Sequence, residues 1–223
     1  MWMKFKNPIE PNRQAISDIL SETMADRQTE IRDSGMTITD VLERYPRLQD
    51  YRGDMIDAEF LRMHPNSDTF LGKFSSFYVP RILRYAESKR PDLLVPSIAD
   101  FSDDLKALVL LPELLPSPNY GKGRGKKGIE DMESLEPGQN KQPILVCISN
   151  SFYIKADNKL IACPNHAMKA FDILFKSHFV FSVQYAHVLT NFYNFMGSFL
   201  YNISTPRACV DSLNTCFSNI AIE

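Results

Sequence analysis

The first half of the chain carries apolar side chains at three- and four-residue steps, separated by charged residues. This spacing predicts an amphipathic helix over residues 16–33. The apolar positions of that helix are Ile16, Ile19, Leu20, Met24 and Ile31. Gly35 stands where the helix should end, because glycine adopts the left-handed conformation of a helix C-terminus with little strain.

Capping residues and prolines mark further helices in this half. Thr37 or Thr39 can cap a short helix, which we expect to stop at Tyr45 because Pro46 disfavours a helical residue before it.

Three more segments in the first half have a helical pattern. Residues 54–63 form the first, closed by a His-Pro pair. The longest pattern covers residues 70–85 and contains Pro80, which requires either a kink or two helices that meet there. Residues 100–111 predict another helix, ended by a proline.

The composition changes between residues 116 and 142, where glycine, proline and charged residues replace nearly all apolar ones. Such a stretch is typical of a linker or a long loop and is uncommon inside a compact domain. We therefore predict a helical region at 1–115, a linker at 116–142 and a small strand-plus-helix region at 143–223. The last region could also pack with the first as one domain.

The pattern changes to strands after the linker. Short apolar runs at 144–148, 151–155 and 159–163 alternate with turn residues such as Asp157 and Asn158, which predicts a small antiparallel meander or hairpin. Helices should then cover the residues after Pro164.

The carboxy-terminal helices are predicted to include a long one over residues 183–201 and a last one opened by Pro206. Together with the preceding elements they give an α+β, predominantly helical fold: a helical amino-terminal half, a long loop, then a small antiparallel sheet with three helices.

Aromatic side chains are concentrated in this carboxy-terminal part. They are Phe171, Phe175, Phe179, Phe181, Tyr185, Phe192, Tyr193, Phe195, Phe199 and Tyr201. One hypothesis is a surface on which nucleic-acid bases stack, and the other is a densely packed core. We favour the core, because the interleaved Lys and Arg residues that base-stacking grooves require are nearly absent.

Composition narrows the function classes without selecting one. The chain has 223 residues, 44% of them hydrophobic, and a formal net charge of -2, so bulk charge indicates neither a nucleic-acid partner nor an anionic membrane. The apolar stretch over residues 171–203 is interrupted by polar residues, which favours a core over a membrane span. The first six residues lack the apolar run of a signal peptide. We expect an intracellular protein, nuclear or cytoplasmic and not secreted.

Cysteine and histidine residues offer little chemistry in this sequence. Cys163 and His166 form one close pair, whereas structural zinc usually needs two such pairs. A nucleophile could combine Cys163 or Cys147 with His166 or His178 and an orienting Asp172, but no local nucleophile motif is present. We expect reduced, buried thiols, and we predict no catalytic residue, no metal ligand and no cofactor.

A basic glycine-rich segment within the predicted linker is the one candidate binding site. Its cations are Lys122, Arg124, Lys126 and Lys127. A phosphate-binding loop would need Ser or Thr after the lysine, but Gly128 follows. The cations could instead contact nucleic-acid phosphates or act as a targeting signal, although the acidic residues at 130–136 offset much of their field.

Two stretches resemble a known protein group. The first contains Arg27-Gln28-x-Glu30-Ile31, then Val41 to Leu48, and then Glu59-Phe60-x-Arg62. The second runs from Ile144 through Phe152-Tyr153-Ile154 to Phe192-Tyr193-x-Phe195. Both resemble regions of the sterile alpha motif domain-containing protein 3-like group of fish and invertebrate proteins. The resemblance implies an origin from a mobile element, and it transfers no functional residue because the group's motifs have no assigned catalytic role.

The leading hypothesis is a non-enzymatic protein-interaction or assembly module that binds a protein partner or self-associates. The alternative is a nucleic-acid-binding protein of mobile-element origin that uses the basic glycine-rich segment. No membrane partner is expected.

Overall fold

The computed structural model describes residues 7–116 and 142–222. In chain order, the helices before the gap are α1 (Arg13–Glu22), α2 (Met24–Ser34), α3 (Ile38–Arg44), α4 (Asp54–Met63), α5 (Phe70–Lys73), α6 (Val79–Lys89) and α7 (Asp103–Leu114). After it come β1 (Ile144–Ile148), β2 (Ser151–Ala156), β3 (Lys159–Ala162), α8 (Ala167–Val180), α9 (Thr190–Phe195) and α10 (Ala208–Ser218). The predicted α+β, mainly helical fold is confirmed.

The described residues belong to two compact units. Unit 1 consists of residues 7–64 and 142–184, and unit 2 of residues 65–116 and 185–222. Each unit thus combines residues from both sides of the segment 117–141, which lies outside the described residues. The predicted region boundaries at 115 and 143 stay a prediction.

Unit 1 begins with two helices where the sequence pattern predicts one. The helix breaks at Thr23, whose hydroxyl donates a 2.8 Å hydrogen bond to the carbonyl of Ile19. This side chain competes with the helical backbone and bends the chain. The predicted end at Gly35 is confirmed, with a left-handed φ of 64°.

The short helix α3 follows the prediction closely. Thr37 and Asp40 form a reciprocal capping box at its start, and the helix ends at Arg44, with Tyr45 as its C-cap before Pro46. The predicted helix at 54–63 is confirmed as α4.

The rest of unit 1 is the three-stranded sheet with α8 packed on it. The strands lie in the order β1-β2-β3 and pair antiparallel, as the meander prediction expected. Helix α8 contacts β1 and β2 on one side and α4 on the other, so it stands between the sheet and the amino-terminal helices. Gly53, just before α4, approaches α8 so closely that a Cβ there would lie 2.7 Å from Ile173 Cγ2.

Unit 2 is built from helices. A π-helical segment, Phe74–Tyr78, joins α5 to α6, and Pro80 lies in the first turn of α6. The wider turn accommodates the proline that the sequence pattern placed inside one helix, since π segments relieve the missing hydrogen bond. Within this unit α6 contacts α7, and α10 contacts α6 and α9.

Two predicted helix boundaries in unit 2 are wrong. Helix α7 starts at Asp103, capped by Ser102, and continues through Pro112 to Leu114, because a proline this close to the end removes only one internal hydrogen bond. The observed helix is shorter than the predicted one over 183–201. It begins at Thr190 and continues as the π-helical segment Met196–Leu200. The residues before it form a loop and the short 3₁₀ turn His187–Leu189.

The ten carboxy-terminal aromatic residues are buried or half-buried, as the core hypothesis requires. Seven of them are buried: Phe171, Phe175, Phe181, Phe192, Tyr193, Phe195 and Tyr201. Phe179, Tyr185 and Phe199 are half-buried. Rings with so little exposed area cannot line an open base-stacking groove.

Candidate interaction surface

The β1–β2 hairpin defines the geometry of the sheet. Its two turn residues, Ser149 and Asn150, have φ angles of 48° and 62°. Positive φ at both positions matches the twist of the flanking strands, and Asn is among the residues that tolerate it best. The turn fixes the register, in which Ile148 faces Ser151 and Val146 faces Tyr153.

One face of the sheet is covered. The residues on this inner face are buried at its centre: Ile154 and Ala156 are 0% exposed, and Ile161 is 1% exposed. Helix α8 contacts β1 and β2, and the 3₁₀ turn Tyr51–Gly53 contacts β3. Burial of these apolar side chains stabilises the association of sheet and helix.

The opposite face of the sheet is also rich in apolar residues, but it is much more exposed. By register, the side chains on this outer sheet face are Ile144, Val146, Ile148, Ser151, Tyr153, Lys155, Leu160 and Ala162. Ile148 is 50% exposed and Leu160 is 52% exposed. Exposed apolar side chains gathered on one face, and not scattered singly, are a recognised mark of interaction sites.

Strand β1 is an outer strand of this sheet. Its register with β2 is continuous from Ile144 to Ile148, without a bulge, and the strand contains neither charge nor proline. Natural sheets usually protect an outer strand with such features, because its unpaired backbone groups can bind another strand. We call the side of Ile144–Ile148 that faces away from β2 the β1 edge.

A buried ion pair joins α2 to α4 in the core of unit 1. Arg27 and Glu59 have side chains that are 1% and 0% exposed, and two guanidinium nitrogens of Arg27 donate to Glu59 Oε1 at 3.1 and 2.8 Å. Gln28 Nε2 also donates to Glu59 Oε1, at 2.8 Å. Both charged groups thus find their hydrogen-bond partners inside the fold, and the ion pair links α2 to α4.

A second buried cation lies on α8. The Nζ of Lys176, 1% exposed, donates to Asp172 Oδ2 at 2.7 Å and also contacts Asp57 of α4. The nearby carboxylates raise the pKa of Lys176 against the opposing effect of its burial, so the amine stays charged. Asp172, considered in the sequence as a partner for a catalytic histidine, thus has a structural partner one helical turn away.

A polar cleft of about 580 Å³ lies between α1 and α4. Its lining residues are Glu10, Arg13, Gln14, Ser17, Asp54, Met55, Asp57 and Ala58. All three carboxylates have an ion-pair partner: Arg13 contacts Glu10 and Asp54, and Lys176 contacts Asp57. The carboxylates of this cleft are therefore engaged in ion pairs, of which the Arg13–Asp54 pair joins α1 to α4.

The cysteine and histidine candidates differ in their surroundings. Cys163 is buried, and burial raises the pKa of its thiol to about 11, which disfavours the reactive thiolate. His166 is exposed at the start of α8, and within the described ranges no group of three or more His, Cys, Asp or Glu residues could hold a metal ion.

The expectation of buried thiols is wrong for three of the four cysteines. Cys147, Cys209 and Cys216 are exposed. Cys147 is at the β1 edge, and the other two lie seven residues apart on one face of α10, which the solvent reaches.

The basic residues predicted to contact phosphates, Lys122, Arg124, Lys126 and Lys127, lie outside the described residues. The sequence pattern predicted β1 as a strand, but it predicted neither that β1 is an edge strand nor that the outer sheet face is exposed. The available signal was the uncharged run Ile144–Ile148 beside a two-residue turn.

Two buried titratable groups predict opposite effects of acid on stability. Burial lowers the pKa of His178 from 6.5 to about 4, so between these values only the unfolded chain binds the proton and acid destabilises the fold, by up to about 3 kcal/mol. Burial raises the pKa of Asp50 from 3.8 to about 6. Between these two pH values the folded chain binds a proton that the unfolded chain does not, so acid stabilises the fold through this group.

Urea unfolding between pH 4 and 6.5 checks this. His178→Gln should flatten the loss of stability in acid, and Asp50→Asn should steepen it. Identical pH profiles for the two variants would contradict the assignment.

Comparison with known proteins adds one finding. Residues 1–50 match the family model described as "Sterile alpha motif domain-containing protein 3, helical domain". The predicted resemblance is thereby confirmed for this segment. It contains α1, α2 and α3, whereas the resemblance of the second stretch and the mobile-element origin stay predictions.

No curated protein and no solved structure matches the chain. Among the described helices, none combines the length and the apolar character needed to cross a bilayer.

Proposed function

We propose that this chain is a non-enzymatic protein-interaction or assembly module whose contact surface combines the β1 edge with the outer sheet face. The observation that carries the proposal is the uncharged, bulge-free strand Ile144–Ile148, which is an edge strand of the sheet among the residues that the structure describes. Such a strand can accept a further strand, with main-chain hydrogen bonds supplying affinity and the alternating side chains supplying specificity.

The side chains of the outer sheet face support the same proposal. Ile148 and Leu160 leave half of their surface exposed, although this module buries a large core elsewhere. A partner strand at the β1 edge would extend the sheet and place its own side chains beside Ile148, so it would cover the part of this apolar area that lies on β1. Removal of that area from water is the expected source of the binding free energy.

The buried charged groups of unit 1 have structural partners, which favours a non-enzymatic role. Arg27 forms an ion pair with Glu59, and Lys176 forms ion pairs with two carboxylates. The match of residues 1–50 is to the helical domain of a protein that also contains a sterile alpha motif, a kind of domain that often mediates protein interactions, and this family context supports the proposal.

Charge beside the β1 edge should weaken binding. Ile148→Lys places an ammonium group where the partner strand would exclude water, and it should weaken capture of the bound protein by about tenfold or more. The measurement is a quantitative pull-down with the full chain as bait. Ile9→Lys is the matched control, because Ile9 is 54% exposed and lies outside the sheet. Equal capture by the Ile148→Lys and Ile9→Lys variants would refute the proposed surface.

The nucleic-acid hypothesis is tested beside it. Alanine at Lys122, Arg124, Lys126 and Lys127 should leave protein capture unchanged. If the chain instead binds DNA or RNA at low salt, and the same four substitutions weaken that binding with a smaller salt dependence, the basic segment is the functional site.

A further inference from the structure

The hydrogen-bond pattern of β1 shows which backbone groups are free for a partner. A two-residue turn closes on a hydrogen-bonded pair, here Ile148 with Ser151, and in an antiparallel ladder the bonded pairs alternate with unbonded ones. Ile144, Val146 and Ile148 therefore bond to β2, whereas Leu145 and Cys147 direct their N–H and C=O groups outward.

An observed hydrogen bond agrees with this pattern. Phe152 faces Cys147 across the hairpin, and its carbonyl accepts a 2.9 Å bond from the Cys163 N–H, on the side of β2 away from β1. The Cys147–Phe152 pair is thus an unbonded pair between β1 and β2. Among the described residues, no backbone hydrogen bond occupies the outward groups of Leu145 or Cys147.

From this geometry we propose that the partner at the β1 edge is a second copy of this chain, bound antiparallel about a twofold axis at Val146. This inference rests on the proposed function, since it uses the same surface. Leu145 of each copy then faces Cys147 of the other copy. Each of these two pairs forms two backbone hydrogen bonds through its outward N–H and C=O groups, which gives four in total. Val146 faces its own counterpart, and Ile144 faces Ile148.

No neighbouring axis fits as well. An axis at Leu145 would pair Cys147 with Pro143, which has no N–H to donate. An axis at Cys147 would pair Leu145 with Ser149, which is in the left-handed turn and cannot continue a strand. The strand is therefore self-complementary at one register, bounded by Pro143 on one side and by the turn on the other.

The charges also favour a second copy. All five residues of β1 are uncharged, so the pairing brings no like charges together. The nearest charged residue on the outer sheet face of unit 1's strands is Lys155, which pairs with Ile144. Three strand spacings and four residues separate the two copies of Lys155, a distance of about 20 Å, well beyond the screening length of about 8 Å.

Disulfide trapping tests the register. In a Cys147→Ser, Cys209→Ser, Cys216→Ser background, Val146→Cys places two thiols on directly opposed residues with Cα atoms about 4.5 Å apart, within disulfide range. Diamide oxidises the two thiols to one disulfide and is itself reduced to the hydrazine. We expect a covalent dimer on a non-reducing gel. Leu160→Cys in the same background is the control, because it lies on the same face but on β3.

A proline variant tests the hydrogen bonds without a cross-link. Cys147→Pro removes one outward N–H and leaves the β1–β2 ladder intact, so sedimentation should show loss of the dimer while thermal unfolding stays near that of the wild type. Equal cross-linking of Val146→Cys and Leu160→Cys, together with a monomeric wild type, would overturn the second-copy inference. If Ile148→Lys still abolishes capture of a different protein in that case, the proposed interaction function stands.

Discussion

Glu59→Leu is expected to lower the free energy of unfolding by about 3–5 kcal/mol. The substitution leaves the Arg27 guanidinium, which is 1% exposed, without its carboxylate in the core of unit 1. Arg27 keeps its bonds to the Thr23 hydroxyl at 2.7 Å and to the Leu20 carbonyl at 2.6 Å, but neither partner carries a charge. The loss is therefore mainly the cost of an uncompensated buried cation.

Urea unfolding of single and double variants measures this cost. Arg27→Met combined with Glu59→Leu removes both charges, so it should recover most of the stability that either single change loses. Glu43→Leu is the matched control, since its pair with Lys159 is 3.6 Å long and both side chains are exposed; it should cost less than about 1 kcal/mol. If Glu59→Leu costs no more than Glu43→Leu, the pair is not a structural tie.

The elements that the sequence predicted well are those determined by neighbouring residues. Thr37 caps α3 and Pro46 follows its end, Gly35 ends α2, and the Asp157–Asn158 turn joins β2 to β3. Each of these signals acts over a few residues, so it can be recognised in the sequence without knowledge of the tertiary contacts.

The predictions that failed depend on competition between local signals and packing. Thr23 lies within a good helical pattern, yet its hydroxyl bonds to Ile19 and divides the helix. Pro112 usually ends a helix, but α7 continues past it among buried leucines. Such outcomes depend on small differences in free energy that periodicity alone does not reveal.

The candidate surface was beyond sequence reasoning for a different reason. The apolar run Ile144–Ile148 has no alternation that would tell a buried strand from an edge strand. Which face is covered is decided by packing: α8 contacts β1 and β2, and the Tyr51–Gly53 turn contacts β3. Ile154 and Ile161 are buried, whereas Ile148 stays exposed. The partners of the buried ions were equally hidden, because Arg27 and Glu59 are 32 residues apart in the chain.

Phe175→Ala should destabilise the fold by about 3–5 kcal/mol, because the ring is 0% exposed on α8 and its removal leaves a cavity. The ring packs against Phe60 and Phe179, with centroid distances of 6.4 and 5.2 Å. Phe175→Leu retains most of the volume and should cost much less. The measurement is again urea unfolding, with both variants compared at one pH.

The same two variants decide between the two hypotheses for the aromatic residues. If these rings fill the core, Phe175→Ala loses much more stability than Phe175→Leu, while neither changes binding to single-stranded oligonucleotides. If they form a stacking surface, Phe175→Ala weakens oligonucleotide binding at unchanged stability, by about 1–3 kcal/mol per stacked base. That second result would refute the core hypothesis and, with it, the argument that the interaction surface lies on the sheet and not on the aromatic helices.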